Sequence, residues 1–287
     1  CGDVINTVEE LQSAKFAELS IIILAGNIQQ MCSFDNIMQH DVENVQVLEK
    51  YAFNYEGCPF HRFINLGQVP IQVHDIGVYY HQYFDPSEEL FERIATEHQF
   101  QNLTESPKDG SAYRTGVYIT PVTVDAQGHK HFGLLRCSSN FTGPTNNVQA
   151  ADKQIIDSVN MLGKLHFTES PHTEFNHVLA QIYHNRRSNE TEKDKKAAIK
   201  KHADKTEDMS DGLMAFVSLY QGFGNNGVFA HLQAENVRRS KENIYDHMYG
   251  HESILTRLRF ELKEPEKYPE LKARFDIVLY PNSVFIM

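Results

Sequence analysis

The sequence predicts an α+β fold in which helices come early and a run of strands comes late, arranged as an antiparallel sandwich or barrel. Three observations carry this prediction. "LFERIATEHQF" and "AADKQIIDSVNMLGKL" place apolar residues at helical spacing. From Tyr113 the period changes, and short apolar runs bounded by turn residues dominate the rest of the chain. No segment of the chain repeats another.

Residues 1–74 read as an N-terminal extension, with a short helix over "VEELQSAKFAEL" and a buried strand "SIIILAG" stopped by Gly26. Cys58 and His61 in "CPFH" have a zinc-compatible spacing, but no second pair stands at a matching distance, so they are read as structural. Residues 75–287 read as the main domain. In "FDPSEELFERIATEHQF", Asp85 is the expected N-cap, Pro86 the first helical residue, and Glu88 and Glu89 suit the positive end of the helix dipole. Leu90, Phe91, Ile94 and Ala95 then form the apolar stripe. "YRTGVYITPVTVD" and "KHFGLLRCSSN" read as two strands around a turn at Gln127-Gly128. After the loop "NFTGPTNN" and the second helix come strand candidates "EFNHVLAQIYHN", "GLMAFVSLYQGF", "VFAHLQAENV" and "ILTRLRFELK". "RFDIVLY", Pro281-Asn282 and "SVFIM" read as a last hairpin.

Composition narrows the function classes. With 41% hydrophobic and 23% charged residues, the 287-residue chain has an ordinary globular balance. No apolar run reaches membrane-spanning length, and the polar start carries no secretory pattern. Four cysteines in a chain this long suit thiols in a reducing compartment, so an intracellular location, cytoplasm or nucleus, is expected. The Asn-x-Thr triplets at Asn102, Asn140 and Asn189 are read as chance matches. A formal net charge of −11 opposes broad attraction to nucleic acid. A local basic stretch runs the other way, with Arg186, Arg187, Lys193, Lys195, Lys196, Lys200, Lys201 and Lys205. Both ends read as cut, because the chain starts at Cys1 and stops inside the apolar run "SVFIM".

One short pattern carries chemistry. In "AAIKKHADKTEDM", His202 and Asp204 stand two apart, so on an extended segment both side chains point to one side. An imidazole nitrogen and a carboxylate oxygen so placed make two thirds of the 2-His-1-carboxylate triad that binds non-haem Fe(II) and leaves positions open. Alone the pattern is weak. Its surroundings sharpen it: a strand ending on Tyr183, a polar insertion, "HADKTEDM", then the strand opening "DGLMAFVSLY".

This ordered set resembles the core of the AlkB-like 2-oxoglutarate- and Fe(II)-dependent dioxygenases, over about Asp85 to Met287. The resemblance implies a double-stranded β-helix, or jelly roll, with flanking helices and incomplete at its C-terminus. It implies iron on His202 and Asp204, and 2-oxoglutarate hydrogen-bonded by Tyr183, with Gln181 where the family usually has asparagine. "SSNFTGPTNN" falls where the family has a lid over the substrate. The implied reaction uses O2 and 2-oxoglutarate to hydroxylate or demethylate a substrate, in this family an alkylated nucleobase or nucleic acid among others. The chain departs from the family in a longer gap between Tyr183 and His202. The distal iron histidine and the cosubstrate arginine are expected beyond Met287, and Arg257 and Arg259 do not match that arginine's position.

Two rival readings stand beside it. One is a non-catalytic jelly-roll binding module without a complete iron site. The other is a zinc hydrolase using His247 and His251, which share a face if their segment is helical, though no glutamate adjoins the first histidine. His231 in "VFAHLQ" is read as a core or surface histidine and not as a third ligand.

Overall fold

The structure, a computed structural model, describes residues 21–25, 44–49, 62–74, 76–103, 114–133, 141–168, 174–184, 197, 212–224, 237–239, 247–249, 252–270 and 273–287. In chain order the strands begin with β1 (Ile21–Ala25), β2 (Asn44–Glu49), β3 (Arg62–Asn65), β4 (Ile71–Val73), β5 (Gly77–Tyr80) and β6 (Gln101–Asn102). They continue as β7 (Arg114–Thr120), β8 (Val122–Val124), β9 (Lys130–Phe132), β10 (Asn146–Asn147), β11 (Val178–Tyr183) and β12 (Ala215–Ser218). The last are β13 (Val237–Arg239), β14 (His247–Tyr249), β15 (Glu252–Ser253), β16 (Thr256–Glu261), β17 (Arg274–Leu279) and β18 (Ser283–Ile286). The described residues also form α1 (Leu90–Glu97) and α2 (Ala150–His166). The protein is therefore a mixed α+β protein in which strands predominate.

The chain forms two compact units, Cys1–Glu88 with Phe216–Phe285, and Glu89–Ala215 with Ile286–Met287. In the first, β1, β2 and β3 pair in parallel. A second sheet runs in the order β12-β18-β5-β4, and β16 and β17 form an antiparallel ribbon from Thr256↔Leu279 to Glu261↔Arg274. Strand β17 alternates strictly, with Phe275, Ile277 and Leu279 buried, as expected of a strand with one face on a core. All four residues of β18 are buried, which fits its central place between β12 and β5.

The expected last hairpin is corrected here. The tight turn exists: Ser283 N donates to Tyr280 O at 3.1 Å, and Asn282 adopts the left-handed conformation at φ 62°, which asparagine tolerates better than most residues. The flanking strands do not pair with each other, however. β17 joins β16, and β18 joins β12 and β5. The turn is held from outside, since Asn282 O accepts Tyr83 N and Phe84 N at 2.8 and 3.2 Å, and Asn282 N donates to Ser218 O at 2.8 Å. Buried along its whole length, β18 is satisfied by a strand on each side.

Aromatic side chains fill the core of this unit. Phe260 lies 5.2 Å from Phe275 and 5.6 Å from Phe285 between ring centres, and Phe216 stacks on Phe285 at 6.2 Å. Tyr220 Oη donates to Leu279 O at 2.9 Å and accepts from Thr256 N at 2.7 Å, so its polar tip is satisfied by the β16–β17 ribbon.

At the surface of the ribbon Arg259 grips Asp276 with two hydrogen bonds, Nε to Oδ1 at 2.6 Å and Nη2 to Oδ2 at 2.7 Å. The guanidinium holds the Asp276 carboxyl below the usual aspartate range. A carboxyl depressed on folding contributes stability above its unfolded pKa and loses it as pH falls through the folded value. The loss therefore sets in below about pH 4, and Asp276→Asn is expected to flatten the acid limb of a stability profile there. Because the pair is solvent-screened, Arg259→Ala is expected to change stability little at neutral pH.

In the second unit β7 is central. It pairs antiparallel with β11 and β6 and in parallel with β10. Val117 and Ile119 on one face of β7 are fully buried. Pro121, which has no N–H to donate, separates β7 from β8. Helix α2 spans the predicted segment and buries Ala151, Val159 and Leu162. The other helix start is corrected. Asp85 caps a 3-10 turn over Pro86–Glu88, its Oδ1 accepting Ser87 N at 2.8 Å. Glu89 then takes φ 48° and ψ 40°, which interrupts the helical path, so α1 begins at Leu90.

Candidate functional site

Residues two apart on a strand share a face. Gln181 and Tyr183 therefore point the same way from β11, and Tyr183 Oη donates to Gln181 Oε1 at 2.5 Å. The antiparallel register sets Arg114 opposite Tyr183 and Gly116 opposite Gln181. Tyr183 is 42% exposed, so this face opens to solvent. Partial burial pushes its phenol upward, and the hydrogen-bonding guanidinium of Arg114 draws it back. One face thus offers a phenol, a primary amide and a guanidinium, a donor set suited to a carboxylate.

The loop expected as a lid is described over its second half, where it is fastened to β6 and β7. Gln101 clamps it twice, accepting Gly143 N at 2.9 Å and donating to Pro144 O at 2.8 Å. Thr142 N donates to Asn102 O at 3.1 Å, and Asn146 and Asn147 pair with Ile119 and Thr120. Gly116 permits the approach, because a Cβ there would stand 2.3 Å from Phe141 Cζ. Beside this loop lies a small cleft lined by Tyr118, Thr120, Gly133, Thr145 and His177. Its walls are joined by Thr120 Oγ1 and His177 Nδ1 at 3.1 Å.

A second polar cluster joins the helices. Glu97, His98 and Asp152 bring ligand atoms within 4.8 Å of one another, so the group has the geometry to hold a metal ion. These atoms already bond to each other and to the helix backbone. His98 Nε2 meets Asp152 Oδ2 at 2.6 Å, and that oxygen also accepts Gln149 N at 2.8 Å. Glu97 Oε2 accepts Ala151 N at 2.9 Å. Two carboxylates thus satisfy free N–H groups at the start of α2, where the helix dipole favours negative charge. The chemistry of the set is that of a helix clamp joining the end of α1 to the start of α2.

Of the sequence-predicted site residues, Gln181 and Tyr183 come together on one strand face. His202 and Asp204 lie outside the described residues, as do the basic residues from Arg186 to Lys205, Cys58, His61, His231 and His251, the segment "VEELQSAKFAEL", and most of "VFAHLQAENV". His247 lies in β14, paired with Arg239 of β13, so the helical face on which His247 and His251 would meet is not formed. Arg259 is engaged by Asp276. Sequence reasoning missed Arg114, although "YRTGVYI" already placed it at the start of a strand, and it missed the helix clamp. No family model, no curated protein and no solved structure matches this chain.

Proposed function

We propose that this protein is an Fe(II)- and 2-oxoglutarate-dependent dioxygenase built on a double-stranded β-helix, acting on an alkylated nucleobase or nucleic acid. The observation that carries the reading is the pairing of Tyr183 and Gln181 on one strand face, with Arg114 opposite. Their donors fit the carboxylates of a 2-oxo acid. In sequence the strand leads to His202 and Asp204, which would supply an imidazole and a carboxylate to iron. When bound, iron and 2-oxoglutarate would supply the chemistry by which O2 hydroxylates a C–H bond, its second oxygen atom entering succinate as the 2-oxo acid loses carbon dioxide. The chain's own part is to hold both and orient the cosubstrate. Tyr183 would donate its hydroxyl proton to a cosubstrate carboxylate, exchanging its present acceptor, Gln181 Oε1. Arg114 would lend positive charge beside it.

The test is an anaerobic titration of the full-length protein with Fe(II) and 2-oxoglutarate, followed by visible absorption. A metal-to-ligand charge-transfer band is expected, and His202→Ala and Asp204→Ala are each expected to abolish it. Tyr183→Phe should keep the band but weaken cosubstrate binding about tenfold, the worth of one hydrogen bond to a charged group. A wild-type protein without the band would sink the enzyme reading and leave the non-catalytic binding module.

A further inference from the structure

The β8–β9 hairpin carries a set of side chains that the dioxygenase reading does not use. Its turn is tightly specified. Asp125 N donates to His129 O and Gly128 N to Asp125 O, both at 3.0 Å, and Gly128 takes the positive φ of 86° that such a turn requires. Asp125 Oδ1 accepts Gln127 N at 2.9 Å and His129 N at 2.8 Å, which fixes the carboxylate's orientation. The remaining oxygen, Oδ2, faces two imidazoles, His129 Nδ1 at 3.1 Å and His131 Nε2 at 3.0 Å.

This convergence follows from the local sequence D-x-x-x-H-x-H. Asp125 and His129 face each other across the turn, and His131 is two residues along the same strand, so all three share one face of the ribbon. Lys130, paired with Val124, points to the other face. The His131 side chain first, and then the His129 backbone N–H, hold the Asp125 carboxyl below the usual aspartate range. The imidazoles are 74% and 61% exposed, so a cation can reach them from solvent and both rings can rotate.

We propose that Asp125, His129 and His131 form a binding site for a zinc ion, with an open coordination position left to water. Two imidazole nitrogens and one carboxylate oxygen are a donor set zinc accepts with such an open position. With bonds of about 2.0–2.2 Å, neighbouring ligand atoms around zinc stand roughly 3 Å apart, the spacing already present on both sides of Oδ2. The third edge, between the two ring nitrogens, is wider than 4.8 Å as the rings stand, and their exposure leaves room for both to rotate inward. In the metal-free arrangement the ring nitrogens facing Oδ2 carry the protons. On binding, each proton passes to the ring's other nitrogen, which is the solvent-facing tautomer, and a lone pair turns to the metal. The ion would pin the β8–β9 ribbon, whose last strand leads through Phe132 into Gly133 at the wall of the cleft beside His177.

The site is tested by titrating metal-free full-length protein with Zn2+ against a chromophoric chelator. Variants are Asp125→Asn, His129→Ala/His131→Ala and His202→Ala/Asp204→Ala. The expected result is a zinc ion retained in the His202→Ala/Asp204→Ala protein, weakened at least about tenfold by Asp125→Asn, and lost in the His129→Ala/His131→Ala protein. Unchanged binding in the His129→Ala/His131→Ala protein would overturn the proposal. Loss of the ion on removing His202 and Asp204, or wild-type binding no tighter than about 1 mM, would overturn it as well. The substitutions at Asp125, His129 and His131 lie on an exposed ribbon, so equal metal-free melting temperatures serve as the folding control. Because the iron-band experiment reads different residues, either proposal can fail while the other stands.

Discussion

Asp152→Ala is expected to destabilise the Glu89–Ala215 unit by about 2–6 kcal/mol, the cost of leaving two buried donors without their acceptor at roughly 1–3 kcal/mol each. Both side chains of the His98–Asp152 pair are sealed from solvent, at 0% and 2% exposure. Removal of the carboxylate strands His98 Nε2 and Gln149 N together, the second being a donor at the start of α2 that no intrahelical carbonyl can take. Urea denaturation of the wild type, Asp152→Ala, His98→Ala and the double variant measures this. The double variant should lose less than the sum of the singles, since they break one shared interaction. The same experiment decides what the cluster is for. A helix clamp needs no ion, so the loss caused by Asp152→Ala should be the same with and without a chelator. If chelation erased the difference between wild type and Asp152→Ala, Glu97, His98 and Asp152 would be metal ligands instead.

Phe285→Ala should cost a similar amount, about 3–5 kcal/mol, in the other unit. Phe285 is fully buried at the centre of β18, and its ring packs against Phe216 and Phe260. Truncation removes the ring's transfer energy and leaves a cavity whose walls come from strands fixed by hydrogen bonds, so collapse into it is limited. Against a typical total of about 5–15 kcal/mol, the loss leaves the fold marginal. Phe132→Ala is the matched control, because that ring is 48% exposed and its removal should shift stability by no more than about 0.5 kcal/mol. Equal losses at the two positions would show that the burial of β18 does not carry the energy assigned to it.

Much of the fold was legible locally. The helix over Ala150–His166, the strands holding Tyr183 and Arg114, the turn at Gly128 and the alternation of Phe275, Ile277 and Leu279 all follow from patterns within a few residues. Of the candidate site, the common face of Gln181 and Tyr183 follows from the strand period alone. The capping of α1 did not, because Asp85 is an equally good partner for a 3-10 turn, and one left-handed residue, Glu89, separates the two outcomes.

What the sequence by itself determined about this protein is therefore which residues share a face: the period of the apolar residues states which side of an element is buried. Only the tertiary structure decided what lies opposite. It sent β17 and β18 to different sheets although a tight turn joins them, set Arg114 against Tyr183, and closed the His98–Asp152 pair across 54 residues. The physical reason is that a face is fixed by backbone geometry acting over a few residues. A partner is chosen by burial and hydrogen-bond satisfaction summed over segments far apart in the chain, and no local pattern encodes that sum.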